Sequence, residues 1–252
     1  RTMPPEAYYY SIPIEVSRKY DIRRNGFHGA SIEYLTKWTQ ERMEREDLRL
    51  VVCHLGGSGS ICAVKNGKSV DTSLGLTLQC GTMHNNRCGD IDPSVVTYME
   101  QKLGIHGQEM ADYLNKKSGL LGISGVSADF RDLEAAAAEG NERAQLAIDV
   151  FCYKVTKRIG SCAAAMGGLD AVVFTAGVGE NSATLRAKIM EGLEFLGLKM
   201  DPEKNNVRGK EAIISTDDSP NKILLIPTNE ELVIALDTAR LVREQEAAVK
   251  ED

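Results

Sequence analysis

Apolar and polar positions change rhythm along this chain, and the changes mark its elements. In residues 48–55 and 169–174 apolar side chains run almost without a break, the pattern of short strands covered on both faces. Residues 60–65 read as another strand. Asn66-Gly67, between Lys65 and Lys68, predicts a tight hairpin into a third strand over 69–72. Residues 210–216 and 221–226 read as a last strand pair around Asp217-Asp218-Ser219-Pro220.

Elsewhere the spacing is helical. A short helix is expected over 15–20, and Ile32, Leu35, Trp38, Thr39 and Met43 predict one over 31–45 with Ser31 as its N-cap. Further helices are expected over 93–103, with Pro93 in the first turn, over 108–117, over 132–139 and over 141–166. In the last of these Ala144, Ile148, Phe151, Val155, Ile159, Cys162 and Met166 form one apolar stripe, stopped by Gly167-Gly168. Thr228 is expected to cap a final helix to about residue 245, with Glu231 completing a capping box. Strands first, then βα alternation without repeats, give an α/β layered domain with a mixed sheet.

Composition narrows the function classes. The 252 residues are 42% apolar, enough to fill a core. A net charge of -6 without a Lys/Arg-rich run argues against nucleic-acid binding and for a small substrate. No apolar run approaches the roughly 20 residues of a membrane span, and the Arg1-Thr2-Met3-Pro4-Pro5 start resembles no signal peptide, so a cytoplasmic protein without a membrane partner is expected. Six cysteines lack a C-x-x-C pair and are expected to stay reduced.

The candidate chemistry concentrates in residues 54–93. His54-Leu55-Gly56-Gly57-Ser58-Gly59 closes a strand with a turn whose missing Cβ atoms let backbone approach a phosphate, although such turns commonly only close hairpins. His28 precedes a helix start, where backbone N–H groups favour an anion; its plainer reading, shared with His54, is a hydrogen-bonded structural histidine. Arg87 lies in a polar, Gly-containing loop, as a solvated cation or as a clamp for carboxylate or phosphate. Gly177-Val178-Gly179-Glu180-Asn181 follows a buried strand and opens a helix, the setting of a nucleotide site, without the full G-x-G-x-x-G spacing. Cys80, His84 and Cys88 would align only on a helix; Gly81 and the missing fourth ligand argue against zinc.

Five stretches together resemble the acetate kinase (acetokinase) family. They are residues 20–31, the turn after His54, Asp71-Thr72-Ser73 through Gly89-Asp90-Ile91-Asp92-Pro93, residues 174–182, and Ile226-Pro227-Thr228-Asn229-Glu230-Glu231-Leu232. The resemblance implies a ribonuclease-H-like domain of the sugar kinase, chaperone ATPase and actin superfamily. It also implies phosphoryl transfer between ATP and a short-chain carboxylate, acetate first, giving acyl phosphate and ADP with Mg2+. On the same ground His28 and Arg87 would stabilise the transferring group. Residues His54, Leu55, Gly56, Gly57, Ser58 and Gly59 would hold phosphate; Asp129, Phe130 and Arg131, with Gly177, Val178, Gly179, Glu180 and Asn181, would surround adenosine. Phe27, Leu78 and Arg87 would meet the carboxylate, and Glu230 would be linked to Mg2+.

The departures from that family are specific. It usually has Asn at Gly57, His at Ile32, Pro at Leu78 and Met-Gly-Thr at His84-Asn85-Asn86. By the resemblance, residues 1–227 are the nucleotide-side, C-terminal domain, and 228–252 a helix that would pack on an N-terminal domain lying upstream. A homodimer, or a separate chain supplying that domain, is expected. Propionate or butyrate as acceptor, and a silent nucleotide-binding or dimerising domain, are the other readings.

Overall fold

The computed structural model describes residues 2–251. Its sheet has the order β3-β2-β1-β4-β6-β5, from β1 (Arg49–Leu55), β2 (Gly59–Lys65), β3 (Lys68–Thr72), β4 (Ala171–Thr175), β5 (Ala212–Ile213) and β6 (Lys222–Leu225). The first three strands form an antiparallel meander, β4 and β6 run parallel to β1, and β5 pairs antiparallel on the outside of β6. A meander continued by parallel strands is the ribonuclease-H-like arrangement. The β2–β3 hairpin turns on Asn66 (φ 52°) and Gly67 (φ 75°), the left-handed pair that a two-residue turn requires.

The helices are α1 (Pro5–Tyr8), α2 (Ile14–Tyr20), α3 (Gly29–Met43), α4 (Pro93–Leu103), α5 (Gln108–Lys116), α6 (Gly119–Ser124), α7 (Phe130–Ala138), α8 (Glu142–Met166), α9 (Ala176–Asn181), α10 (Ala183–Met190), α11 (Pro202–Asn205) and α12 (Glu230–Glu251). Both sheet faces are covered, which is why the central strands carry few polar residues. Val51, Cys53, Leu55, Val172, Phe174, Ile223 and Leu225 pack with the whole predicted stripe of α8. Their alternates Leu50, Val52, Ala171, Val173, Leu224 and Ile226 pack with Ile32 and Leu35 of α3. The two-residue period sorts the two cores. Truncating Ile159 of that stripe, fully buried, to Ala would cost about 2–5 kcal/mol.

Three expectations are corrected. Ser31 is not the cap of α3: the helix begins at Gly29, His28 holds the N-cap position, and Ser31 is buried inside the first turn. Thr228 is not the cap of α12: Asn229 Oδ1 accepts from Leu232 N–H (3.1 Å), the N-cap geometry, and the Thr228 hydroxyl points to Ser31 instead. Residues 177–181 are not an open Gly turn but belong to the short helix α9. The final helix also runs beyond residue 245, to Glu251; Val233 is buried where it crosses α3, while Leu232, Leu236, Leu241 and Val242 are exposed.

Candidate active site

Because β1, β4 and β6 are parallel, they end at the same edge of the domain, and the segments leaving them are residues 54–60, 175–181 and 226–230. The carboxyl end of parallel strands is where α/β sheets take ligands. His54 lies beside Thr175 on one neighbour and Ser60 on the other. His28 reaches the same place from α3. Its backbone is left-handed (φ 58°), a conformation that costs a non-glycine residue on the order of 1–2 kcal/mol, and it directs the ring to Ser60 Oγ, 2.9 Å from Nδ1.

The His28 and His54 rings stack, centroids 4.0 Å apart and planes 9° from parallel. Two cations are disfavoured at that distance. Burial pushes the His54 pKa down to about 4, with His28 adding to the shift; burial also lowers His28, opposed by the Glu230 carboxylate. A hydroxyl relay fixes the His54 ring: Thr228 Oγ1 donates to Ser31 Oγ (2.8 Å), so the Ser31 proton is free to meet His54 Nδ1 (3.0 Å). Neutral His54 then carries its proton on Nε2.

Arg87 approaches the glycine turn from the opposite loop, and its guanidinium donates to Ser58 Oγ (3.2 Å). Beside it, Gly59 N–H donates to His84 Nδ1 (2.9 Å), and His84 Nε2 lies 3.3 Å from the Cys80 carbonyl, which selects the Nε2–H tautomer. Burial lowers the His84 pKa, opposed by that carbonyl. With Gly59 N–H taken, Gly57 and Ser58 keep backbone N–H groups without a protein acceptor among the described residues. The turn thus combines two free donors and one arginine, groups whose chemistry suits an anion. Gly56 joins it to α9, since a Cβ there would stand 3.7 Å from Ala176 Cβ.

The model of the acetokinase family matches residues 1–236. The chain belongs to the acetokinase family. It is 56% identical over 243 residues to the acetate kinase of Shouchella clausii and 57% over 246 residues to that of Caldanaerobacter subterraneus, covering 96% of this chain but 62% and 61% of those proteins. It superposes on the crystal structure of Porphyromonas gingivalis acetate kinase with a TM-score of 0.93 at 43% identity, over 96% of this chain and 61% of that one. A propionate kinase from Francisella tularensis matches with a TM-score of 0.87 at 41% identity, over 93% and 60% of the two chains. The chain spans about three fifths of the length of these relatives.

Within this acetokinase chain the remaining candidate residues fall into distinct settings. The side chain of Phe130 is turned into the core, edge-on to Phe151 at 4.7 Å. Asp129 caps α7 and grips exposed Arg131 through Nε (3.0 Å) and Nη2 (2.6 Å), which holds the Asp129 carboxyl near pKa 2. Gly179 packs on β1, whereas Gly177 has open space over its Cα. Val178 packs partly buried against the α8-side core. Glu180 is a brace: its Oε1 accepts from Thr175 Oγ1 (3.2 Å), Ala176 N–H (2.8 Å) and Thr228 N–H (3.3 Å), joining β4, α9 and the start of α12. Asn181 lines a groove of about 730 Å³ with Glu134, Gln145, Lys188 and Arg208. Phe27 lines another cleft, between α3 and the β2–β3 hairpin, and Leu78 is half-buried in the loop before Arg87.

Glu230 is half-buried in the first turn of α12, close enough to act on His28. No group of three or more His, Cys, Asp or Glu that could hold a metal occurs among the described residues. One carboxylate fits a cation such as Mg2+, which keeps most of its waters and binds substrate phosphates, and does not fit an all-protein cage. Ser31, Ser60, His84 and Thr228 also contact the candidate residues, in settings that motif reading did not assign to them. Only the histidine, three residues from Arg87, carried a signal.

Proposed function

We propose that this chain carries the nucleotide-side part of a kinase that moves a phosphoryl group between ATP and a short-chain carboxylate, acetate foremost. The observation that carries the reading is the convergence of His28, Arg87 and the Gly56–Gly59 turn at the carboxyl ends of parallel strands, in a family member. In an in-line transfer negative charge spreads over equatorial oxygens, so a fixed guanidinium and preset N–H groups stabilise it without reorganising. Burial lowers the His28 pKa and so favours its neutral form at pH 7, with Nδ1 engaged by Ser60 Oγ and Nε2 left for the transferring group. Mg2+ bound with the nucleotide would neutralise phosphate charge, with Glu230 as its link to the chain.

Adenosine would lie against Asp129, Arg131 and the Gly177 end of α9. Leu78 would shape the acceptor's alkyl pocket, where acetate and propionate differ by one methylene. Arg87 would take the carboxylate. The relatives' additional length would close the site, from the same or a separate chain, and would dock on the segment 228–252, which contains α12, in a cytoplasmic homodimer. Isothermal titration with Mg-ADP tests the nucleotide side: saturable binding by the chain, lost on Arg131→Ala, supports it. Acyl phosphate formation, trapped as hydroxamate after adding the relatives' remaining segment, tests the chemistry. No binding and no hydroxamate would sink the reading.

A further inference from the structure

Asn85 faces the glycine turn with an unused amide. Its backbone is locked: the carbonyls of His84, Asn85 and Asn86 accept from Leu120 N–H (3.0 Å), Leu121 N–H (2.9 Å) and Ser118 N–H (3.1 Å), seating the whole turn on the start of α6. Its side chain is not. Among the described residues the Asn85 side-chain amide enters no hydrogen bond, and Nδ2 lies 3.6 Å from where a Cβ on Gly57 would stand. Gly57 has no side chain to fill that space and is itself exposed. The next residue, Ser58, is the one that Arg87 touches.

A primary amide held on a rigid backbone, over a turn with two free N–H groups and beside an arginine, is a donor poised for an anion. His84 completes the arrangement by fixing the far side of the turn through Gly59 N–H. We propose that Asn85 is a phosphate-contacting residue of this site, donating through Nδ2 to the anion held by Arg87 and the Gly57 and Ser58 N–H groups. The assignment rests on the function proposed above. It makes the His84-Asn85-Asn86 segment a determinant of phosphate affinity, and it makes Gly57 the residue that leaves room for the amide to act.

The test is titration of the intact chain with inorganic phosphate and with Mg-ADP, read by calorimetry and phosphorus NMR, for wild type, Asn85→Leu and Asn85→Asp. One hydrogen bond to a charged group corresponds to a loss of roughly 10-fold or more in affinity. Asn85→Leu, of similar volume without a donor, is expected to weaken phosphate binding by about that factor. Asn85→Asp, isosteric and anionic, is expected to weaken it further. Melting temperatures close to wild type would show that the fold is kept. Wild-type phosphate affinity in either folded variant overturns the assignment and leaves the kinase reading standing. A wild-type chain that binds neither probe overturns both.

Discussion

Gly119 supports Arg87 from below: a Cβ at Gly119 would stand 2.7 Å from the Arg87 carbonyl oxygen and 2.8 Å from its nitrogen. Its φ of 64° is a second reason for glycine. Gly119→Ala is expected to cost about 1–2 kcal/mol from backbone strain alone, and to displace Arg87. Chemical denaturation reads the first effect. Calorimetry with Mg-ADP reads the second, and unchanged affinity in a destabilised variant would separate Gly119 from the site.

The histidine cluster predicts acid sensitivity. An unfolded histidine titrates near 6.5, and folded His54 near 4, so between these values the unfolded chain binds more protons. Stability is therefore complete above about pH 6.5 and falls as pH drops through 4, by about 3 kcal/mol for His54 alone. His28 and His84, both lowered by burial, act in the same direction. Urea midpoints at pH 7 and pH 4.5 check this, and His54→Gln should flatten the difference.

Arg186 is fully buried and has no carboxylate partner among the described residues; it donates instead to Asn205 Oδ1 (2.8 Å) and to the carbonyls of Gly179 (2.8 Å), Asn205 (2.7 Å) and Val207 (2.8 Å). Burial lowers its pKa to about 10. Arg186→Met strands these acceptors and is expected to cost on the order of 3 kcal/mol. Arg186→Lys cannot reproduce the fork and should recover little of it. Thermal melts of both variants give the answer.

Arg131 offers the opposite case. Its side chain is 85% exposed and, among the described residues, paired only with Asp129, so Arg131→Ala should change stability by less than about 0.5 kcal/mol. A weaker Mg-ADP affinity without a change in melting temperature would mark a ligand contact. No change in either would assign the pair to the surface.

The sheet was legible because strands covered on both faces leave continuous apolar runs, and α8 because its stripe holds for about six turns, from Ala144 to Met166. The caps were not. Ser31 and Thr228 each precede an apolar helix pattern, which in sequence means a cap, yet their hydroxyls bond to each other across 197 residues. Such a pairing leaves no local trace. Arg87, His28 and the glycine turn, singled out by residue type and position, lie at one edge of the sheet, while Phe130 and Glu180, equally prominent in their motifs, turn inward to core and brace. Cys80, His84 and Cys88 would align as a metal spacing only on a helix, which Gly81 argues against; residues 80–88 are irregular, and the His84 ring accepts from Gly59 N–H.

The Thr228–Ser31–His54 relay has a mechanical meaning. Thr228 sits two residues before α12, the helix with the exposed Leu232, Leu236 and Val242 face, and its backbone N–H is also gripped by Glu180. A tilt of α12 by about one ångström at its base would stretch a 2.8 Å hydroxyl contact past hydrogen-bonding range. The long outer helix and the imidazole stack thus form one lever, with a pair of hydroxyls as its pivot.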